Sequence, residues 1–275
     1  MEKTQKKCDI IFYIHRYDPE KDEGPWKKQY TLQVERGMTV LDGLHKIKET
    51  QDPSLAFRFS CRMGVCGSCA MLINGKPMLA CNTQILDVTE KILTVAPLPN
   101  FTIIRDLVPD LVPMFGVHAS VQPHIKRRDL MEMENPTGEY FQTPRQLEEF
   151  LQFTYCIKCG ACMAACPTMS TDRKYPGPMP LTQAYRYNVD SRDDGGKDRN
   201  DMVATSHGVF NCHYAGECSN VCPKGVDPAR AIQLMKKDLV RDYFNLNKKK
   251  VCAPVNCVSV EPKPKVAVPP FTVGK

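Results

Sequence analysis

Apolar and polar residues alternate twice near the start of the chain, at Ile10, Phe12 and Ile14 and again at Tyr30, Leu32 and Val34. A period of two predicts half-buried strands, and the polar stretch over residues 18–25 joins them as a hairpin. The period then changes. Thr39 followed by Asp42 is a helix-start signal, and Val40, Leu44 and Ile47 recur at helical spacing until Asp52-Pro53 ends the helix. A second hairpin is predicted where residues 71–73 and 78–80 flank Asn74-Gly75. The first hundred or so residues thus read as a helix packed on a sheet.

Beyond Asn100 the alternation disappears. Residues 100–142 carry proline and charge with little periodicity, which predicts a connector with one or two short helices. Thr143-Pro144-Arg145-Gln146 then combines an N-cap, a proline in the first turn and a reciprocal glutamine, and Leu147, Phe150, Leu151 and Thr154 make one helix face. A helix over residues 181–190 is broken at Asp193-Asp194-Gly195-Gly196. Asp227-Pro228 starts another, with Ile232, Met235, Leu239 and Tyr243 on one face. The predicted class is α+β: a mixed domain over 1–104, an α-helical domain over 105–247, and an extended proline-rich tail over 248–275.

Composition narrows the function. A chain of 275 residues suits two domains of ordinary size. Eleven of its 14 cysteines fall in three tight groups, the usage of metal ligation in a reducing compartment rather than of a disulfide scaffold. The apolar run behind the charged N-terminus is too short for a secretory signal, and no 18 consecutive residues are apolar. The chain is therefore expected not to cross a membrane by itself. Its 37 basic and 31 acidic residues are a mild excess that reads as a solvated surface, with no nucleic-acid partner. Lys126-Arg127-Arg128 and Lys248-Lys249-Lys250 are short basic runs that suit anionic lipid or a partner.

The chemistry lies in the thiols. Cys156, Cys159, Cys162 and Cys166 precede Pro167 in the spacing of bacterial two-cluster ferredoxins, whose fourth cysteine serves the other cluster. Such a run needs a complement, which Cys212, Cys218 and Cys222 supply. Upstream, Cys61, Cys66, Cys69 and the distant Cys81 have the plant-type [2Fe–2S] spacing, with Gly64 and Gly67 free to take positive φ around a cluster. A structural zinc site is the alternative there. Two [4Fe–4S] clusters need eight thiolates, and the two later runs hold seven. Laid on the first run, the second has Ala215 where a cysteine would stand. In the crossed arrangement Cys156, Cys159, Cys162 and Cys222 take a [4Fe–4S] cluster, leaving Cys166, Cys212 and Cys218 for a [3Fe–4S] cluster. The competing arrangement brings in an eighth thiol from Cys8, Cys252 or Cys257. Three clusters in one chain make a one-electron wire, and no nucleotide-binding or hydrolase motif accompanies them. The substrate site is expected on another subunit.

The cluster order, the Cys61-to-Cys69 and Cys156 runs, Cys222-Pro-Lys-Gly-Val-Asp-Pro and Arg186-Tyr-Asn-Val-Asp-Ser-Arg-Asp resemble the iron–sulfur subunits of the succinate dehydrogenase and fumarate reductase family. The last of these resembles bacterial fumarate reductases most. The resemblance spans about residues 8–245. It implies an N-terminal β-grasp ferredoxin domain facing an FAD-containing flavoprotein subunit, and an α-helical two-cluster domain docked on a membrane anchor that binds quinone. Electrons would run between FAD and quinone, at the cytoplasmic face of the cytoplasmic membrane, with membrane contact through partners. Gln233 and Lys236 match positions that help form a menaquinone pocket in fumarate reductases, and His213 matches a residue near the quinone in succinate dehydrogenases. Thr168, Met169, Ser170 and Thr171 stand where ubiquinone-linked relatives carry tryptophans, which favours menaquinone. The other readings are a cluster subunit of a different flavin-linked enzyme, against which Cys61 to Cys81 argue, and a zinc-stabilised interaction module.

Overall fold

A computed structural model describes residues 8–135 and 137–246; the expected tail, with Cys252, Cys257 and the Lys248-Lys249-Lys250 run, lies outside the described residues. β1 (Cys8–Arg16) and β2 (Trp26–Val34) pair antiparallel with Ile10 opposite Leu32 and Phe12 opposite Tyr30, so their apolar faces coincide. α1 (Val40–Thr50) starts with the predicted capping box: Thr39 Oγ1 accepts from the Asp42 amide at 3.2 Å, and Asp42 accepts from the Thr39 amide at 2.9 Å. Gly43 lets this helix sit directly on the sheet, because a Cβ there would lie 2.9 Å from the Phe12 ring. β3 (Ala70–Ile73) and β4 (Lys76–Leu79) turn through Asn74 and Gly75, both at positive φ, as a two-residue hairpin requires. After α2 (Ile85–Val88), β5 (Ile92–Ala96) enters between β1 and β3, parallel to the first and antiparallel to the second. The sheet order is β2-β1-β5-β3-β4.

The connector is more ordered than its sequence suggests. β6 (Ile103–Arg105) and β7 (Val108–Pro109) form a small hairpin whose tip returns to the first core. Leu107 is buried there, and Asp106 accepts from the buried Arg16 guanidinium at 2.8 Å. Arg16 also donates to Tyr30 at 2.7 Å and Asp52 at 2.6 Å, tying β1, the end of α1 and the connector together. Burial opposes the charge on Asp52, yet donors from Lys28, Ser54, Tyr30 and Arg16 hold it well below the ordinary carboxylate range.

The helical half begins with α3 (Val112–Ser120) and α4 (Leu130–Glu134), followed by α5 (Pro144–Thr154) with its capping box in place. The buried face of α5 is Phe150 and Phe153; Leu147 and Thr154 are exposed, correcting the expected face. Phe153 wins because it meets Tyr185 edge-on at 5.4 Å. Short α6 (Ala161–Ala164) and α7 (Pro167–Thr171) lead to α8 (Pro178–Asn188), buried through most of its length. The break at Asp193 to Gly196 is itself a helix start, since α9 (Gly196–Val203) follows it and its Arg199 is fully buried against Asp193 at 2.6 Å. α10 (Glu217–Asn220) and α11 (Pro228–Tyr243) complete the unit. Ile232 and Met235 of α11 are buried as expected, whereas Tyr243 is exposed because the helix end projects past the core.

The halves are packed together at the cysteine run. Ala164 is buried in the first core, with Ile157 and Cys159 packed against it. Asn100, at positive φ, donates its side-chain amide to the Met163, Ala164 and Cys166 carbonyls at 3.0, 3.1 and 3.2 Å. These are carbonyls at the C-terminal end of α6, which would otherwise lack donors.

Candidate iron–sulfur centres

In the N-terminal half the chain wraps its own amides around sulfur. The Val65 and Cys66 amides donate to Cys61 Sγ at 3.4 and 3.3 Å, and those of Cys61 and Ser68 to Cys66 Sγ at 3.5 Å. Gly64 donates to Cys81 Sγ at 3.2 Å, and Cys81 to Cys69 Sγ at 3.5 Å. Positive φ at Arg62, Gly64 and Gly67 turns the loop so that these amides face inward. Bonds from the Cys61 and Ser68 amides bring the Cys66 thiol down to about 6, whereas burial pushes Cys69 up to about 12. The donor set fits an anionic-sulfur cluster: four thiols, each reached by at least one N–H or sitting on a turn that supplies one to its neighbour.

The two later runs repeat each other in backbone as well as spacing. Lys158 and Gly160 have φ of 55° and 84°, and Tyr214 and Gly216 have 57° and 79°. Each glycine is the N-cap of a four-residue helix, α6 or α10. In this repeat Ala215 occupies the position of Cys159. The runs then cross. Cys156, Cys159, Cys162 and Cys222 line one cavity with about 390 Å³ of empty volume. Cys166, Cys212 and Cys218 line a second, of about 310 Å³, together with Ala215, Tyr175 and His213.

Cys166 and Cys218 are buried and the other five thiols half-buried, and desolvation pushes Cys156, Cys166 and Cys162 up, Cys162 far up, and brings Cys159 and Cys218 up to about 11. A bound cationic iron centre reverses that tendency, because coordination deprotonates a thiol outright. Among the described residues no three or more His, Cys, Asp or Glu side chains form a group suited to one metal ion.

The loop and the first cavity adjoin. Gly67 faces Cys159, and a Cβ on it would stand 2.7 Å from the Cys159 Cβ. Cys162 and Cys166, at either end of one helical turn, serve the two cavities in succession. At the second cavity His213 is exposed on the rim and Lys236 Nζ donates to the Cys212 carbonyl at 2.9 Å; Gln233, next to the lining residue Ile232, has a buried side-chain nitrogen without a partner among the described residues. Gly67 has the positive φ expected from sequence, but its approach to Cys159 was not expected, and Asn100 and Tyr175 were not singled out; their neighbours lie far along the chain, and no local pattern signals them. Among the described residues no helix is long and apolar enough to cross a membrane.

A mixed-sheet domain with one four-thiol loop, joined to a helical domain with two thiol-lined cavities, defines a multi-cluster iron–sulfur protein. Family models agree: residues 11–116 match a 2Fe-2S iron-sulfur cluster binding domain and residues 152–226 a 4Fe-4S dicluster domain. The fumarate reductase iron-sulfur subunit of Mycobacterium tuberculosis is 45% identical over 82% of this chain and 91% of its own. That of Haemophilus influenzae is 41% identical over 84% and 93%. Among solved structures, a chain of the Mycobacterium smegmatis Sdh1 complex in the apo form superposes with a TM-score of 0.78 at 28% identity, covering 87% of this chain and 98% of that one. The chain belongs to the family of fumarate reductase and succinate dehydrogenase iron–sulfur subunits, components of oxidoreductase complexes.

Proposed function

We propose that this chain relays single electrons between the FAD of a flavoprotein subunit and a quinone, menaquinone by its sequence, held at a membrane anchor. In this reading Cys61, Cys66, Cys69 and Cys81 hold a [2Fe–2S] cluster. Cys156, Cys159, Cys162 and Cys222 hold a [4Fe–4S] cluster, and Cys166, Cys212 and Cys218 a [3Fe–4S] cluster. Bound there, such clusters take and give one electron at a time, converting two-electron flavin and quinone chemistry into single steps. The observation that carries the reading is the crossing of the runs into a four-thiol and a three-thiol cavity, with the first backed directly by the N-terminal loop.

The chain's own residues orient and shield. Gly67 allows close approach of the loop to Cys159, and Asn100 fixes the turn between Cys162 and Cys166. Exposed Met63 and Val65 on the first loop suit a flavoprotein face. Exposed Phe210 and Tyr214 beside the second cavity suit an anchor, with Gln233, Lys236 and His213 near the quinone. The subunit would be peripheral, at the cytoplasmic face of the cytoplasmic membrane. Rapid mixing of the intact complex tests the relay: a menaquinol analogue should reduce the centres and fumarate should reoxidise them. Centres that respond to neither would contradict it.

A further inference from the structure

The three-thiol cavity contains a polar group that the relay does not use. Tyr175, 3% exposed, forms part of its wall beside Cys212. Among the described residues its hydroxyl has no hydrogen-bond partner. Cys166, Cys212 and Cys218, the three thiols of this cavity, share its wall with the ring. The segment cannot easily swing the ring outward. The Tyr175 amide donates to the Asp172 carbonyl at 3.2 Å, and the Asp172 carboxylate is itself bonded to His207 and Asn211 at 2.7 Å. A buried hydroxyl left unpaired is costly, so its retention calls for a partner.

We propose that the Tyr175 hydroxyl donates to sulfur at Cys212 when the cluster is bound, raising the reduction potential of this centre above what its thiolates alone would set. This rests on the assignment of Cys166, Cys212 and Cys218 to one cluster. A donor at a ligand sulfur is held more tightly as negative charge there grows, so it favours the reduced state. The four-thiol cavity has Met179 and Thr182 in its wall and no tyrosine, which confines the effect to one centre.

The test is a redox titration of the intact complex carrying Tyr175→Phe, followed by electron paramagnetic resonance. The signal of this centre should persist at wild-type amount. Its midpoint should fall, lowering the reduced-to-oxidised ratio at fixed potential about three- to tenfold, where tenfold is about 59 mV for one electron. The other two midpoints should stay in place. Tyr185→Phe removes a buried tyrosine hydroxyl that lines neither cavity and should leave all three unchanged. An unchanged midpoint in Tyr175→Phe, or an equal shift in Tyr185→Phe, overturns the proposal. A four-iron signal in place of the three-iron one in wild type would instead defeat the cluster assignment, and the Tyr175 shift would then be read on that centre. Should Tyr175→Phe lose its cluster, proton hyperfine spectra of the wild-type complex decide. An exchangeable proton coupled to this centre, absent when tyrosine is supplied as O-methyl-tyrosine at position 175, supports the bond; no such proton overturns it.

Discussion

In the N-terminal loop, main-chain amides reach the sulfurs and bring the Cys66 thiol down to about 6. In the helical half, thiols such as Cys162 and Cys159 are pushed up by burial. The first region lowers one exposed thiol, Cys66, with its own backbone and raises only the buried Cys69, on a sheet with an apolar core of its own. The second gathers thiols of which Cys156, Cys159, Cys162, Cys166 and Cys218 are pushed up by burial, on or beside short helices such as α6 and α10. Cluster binding and folding should therefore be coupled far more tightly in the helical half.

Removing a ligand from the helical half should produce the largest effect. Cys162→Ala should abolish both helical-half centres and destabilise that half by more than about 4 kcal/mol, while the [2Fe–2S] signal survives; iron content and resonance spectra check this. Cys66→Ala should remove only the [2Fe–2S] centre. If Cys66→Ala strips iron from all three centres, the contrast between the halves is wrong. Next in size is Ala215→Cys, which supplies the missing thiol in the backbone repeat. It should replace the three-iron signal with a four-iron one, and a three-iron spectrum that persists would break the alignment of the two runs.

The seam between the regions gives a smaller effect. Gly64→Ala and Gly67→Ala both place a side chain at positive φ, a strain of about 1–3 kcal/mol. Only at Gly67 would the new Cβ also meet Cys159, whereas at Gly64 it stands 3.6 Å from Asn82. Gly67→Ala should therefore slow electron passage between the first two centres more than Gly64→Ala does, as read by freeze-quench spectra; equal rates would remove the seam from the account.

The smallest effect is on pH. Burial lowers the pKa of His15, His45 and His118 below 6.5, and each has a buried ring nitrogen without a partner among the described residues. The unfolded chain then binds more protons, so the stability these groups allow is complete above about pH 6.5 and is lost as pH falls through the folded values. Denaturant midpoints should drop on that side, and His45→Gln should flatten the slope.

Much of this was legible in sequence because it is local. The strand alternation at Ile10 to Ile14, the boxes at Thr39 and Thr143, and the Asn74-Gly75 turn all depend on neighbours within a few residues. Cysteine spacing carried the thiol groups for the same reason. What was missed depends on distant partners. Asn100 reaches carbonyls more than sixty residues away, and Phe153 outranks Leu147 only because Tyr185 arrives to meet it. Helix α9 hides behind Gly195-Gly196 and a polar sequence, held by the buried Arg199–Asp193 pair rather than by an apolar stripe.

The most direct measurement is low-temperature electron paramagnetic resonance of the protein as isolated and after reduction, with iron counted on the same sample. The account predicts a three-iron signal in the oxidised state, [2Fe–2S] and [4Fe–4S] signals on reduction, and about nine irons per chain from clusters of two, four and three. A second four-iron signal with no three-iron one would contradict it, and would mean that a further thiol completes the cavity of Cys166, Cys212 and Cys218.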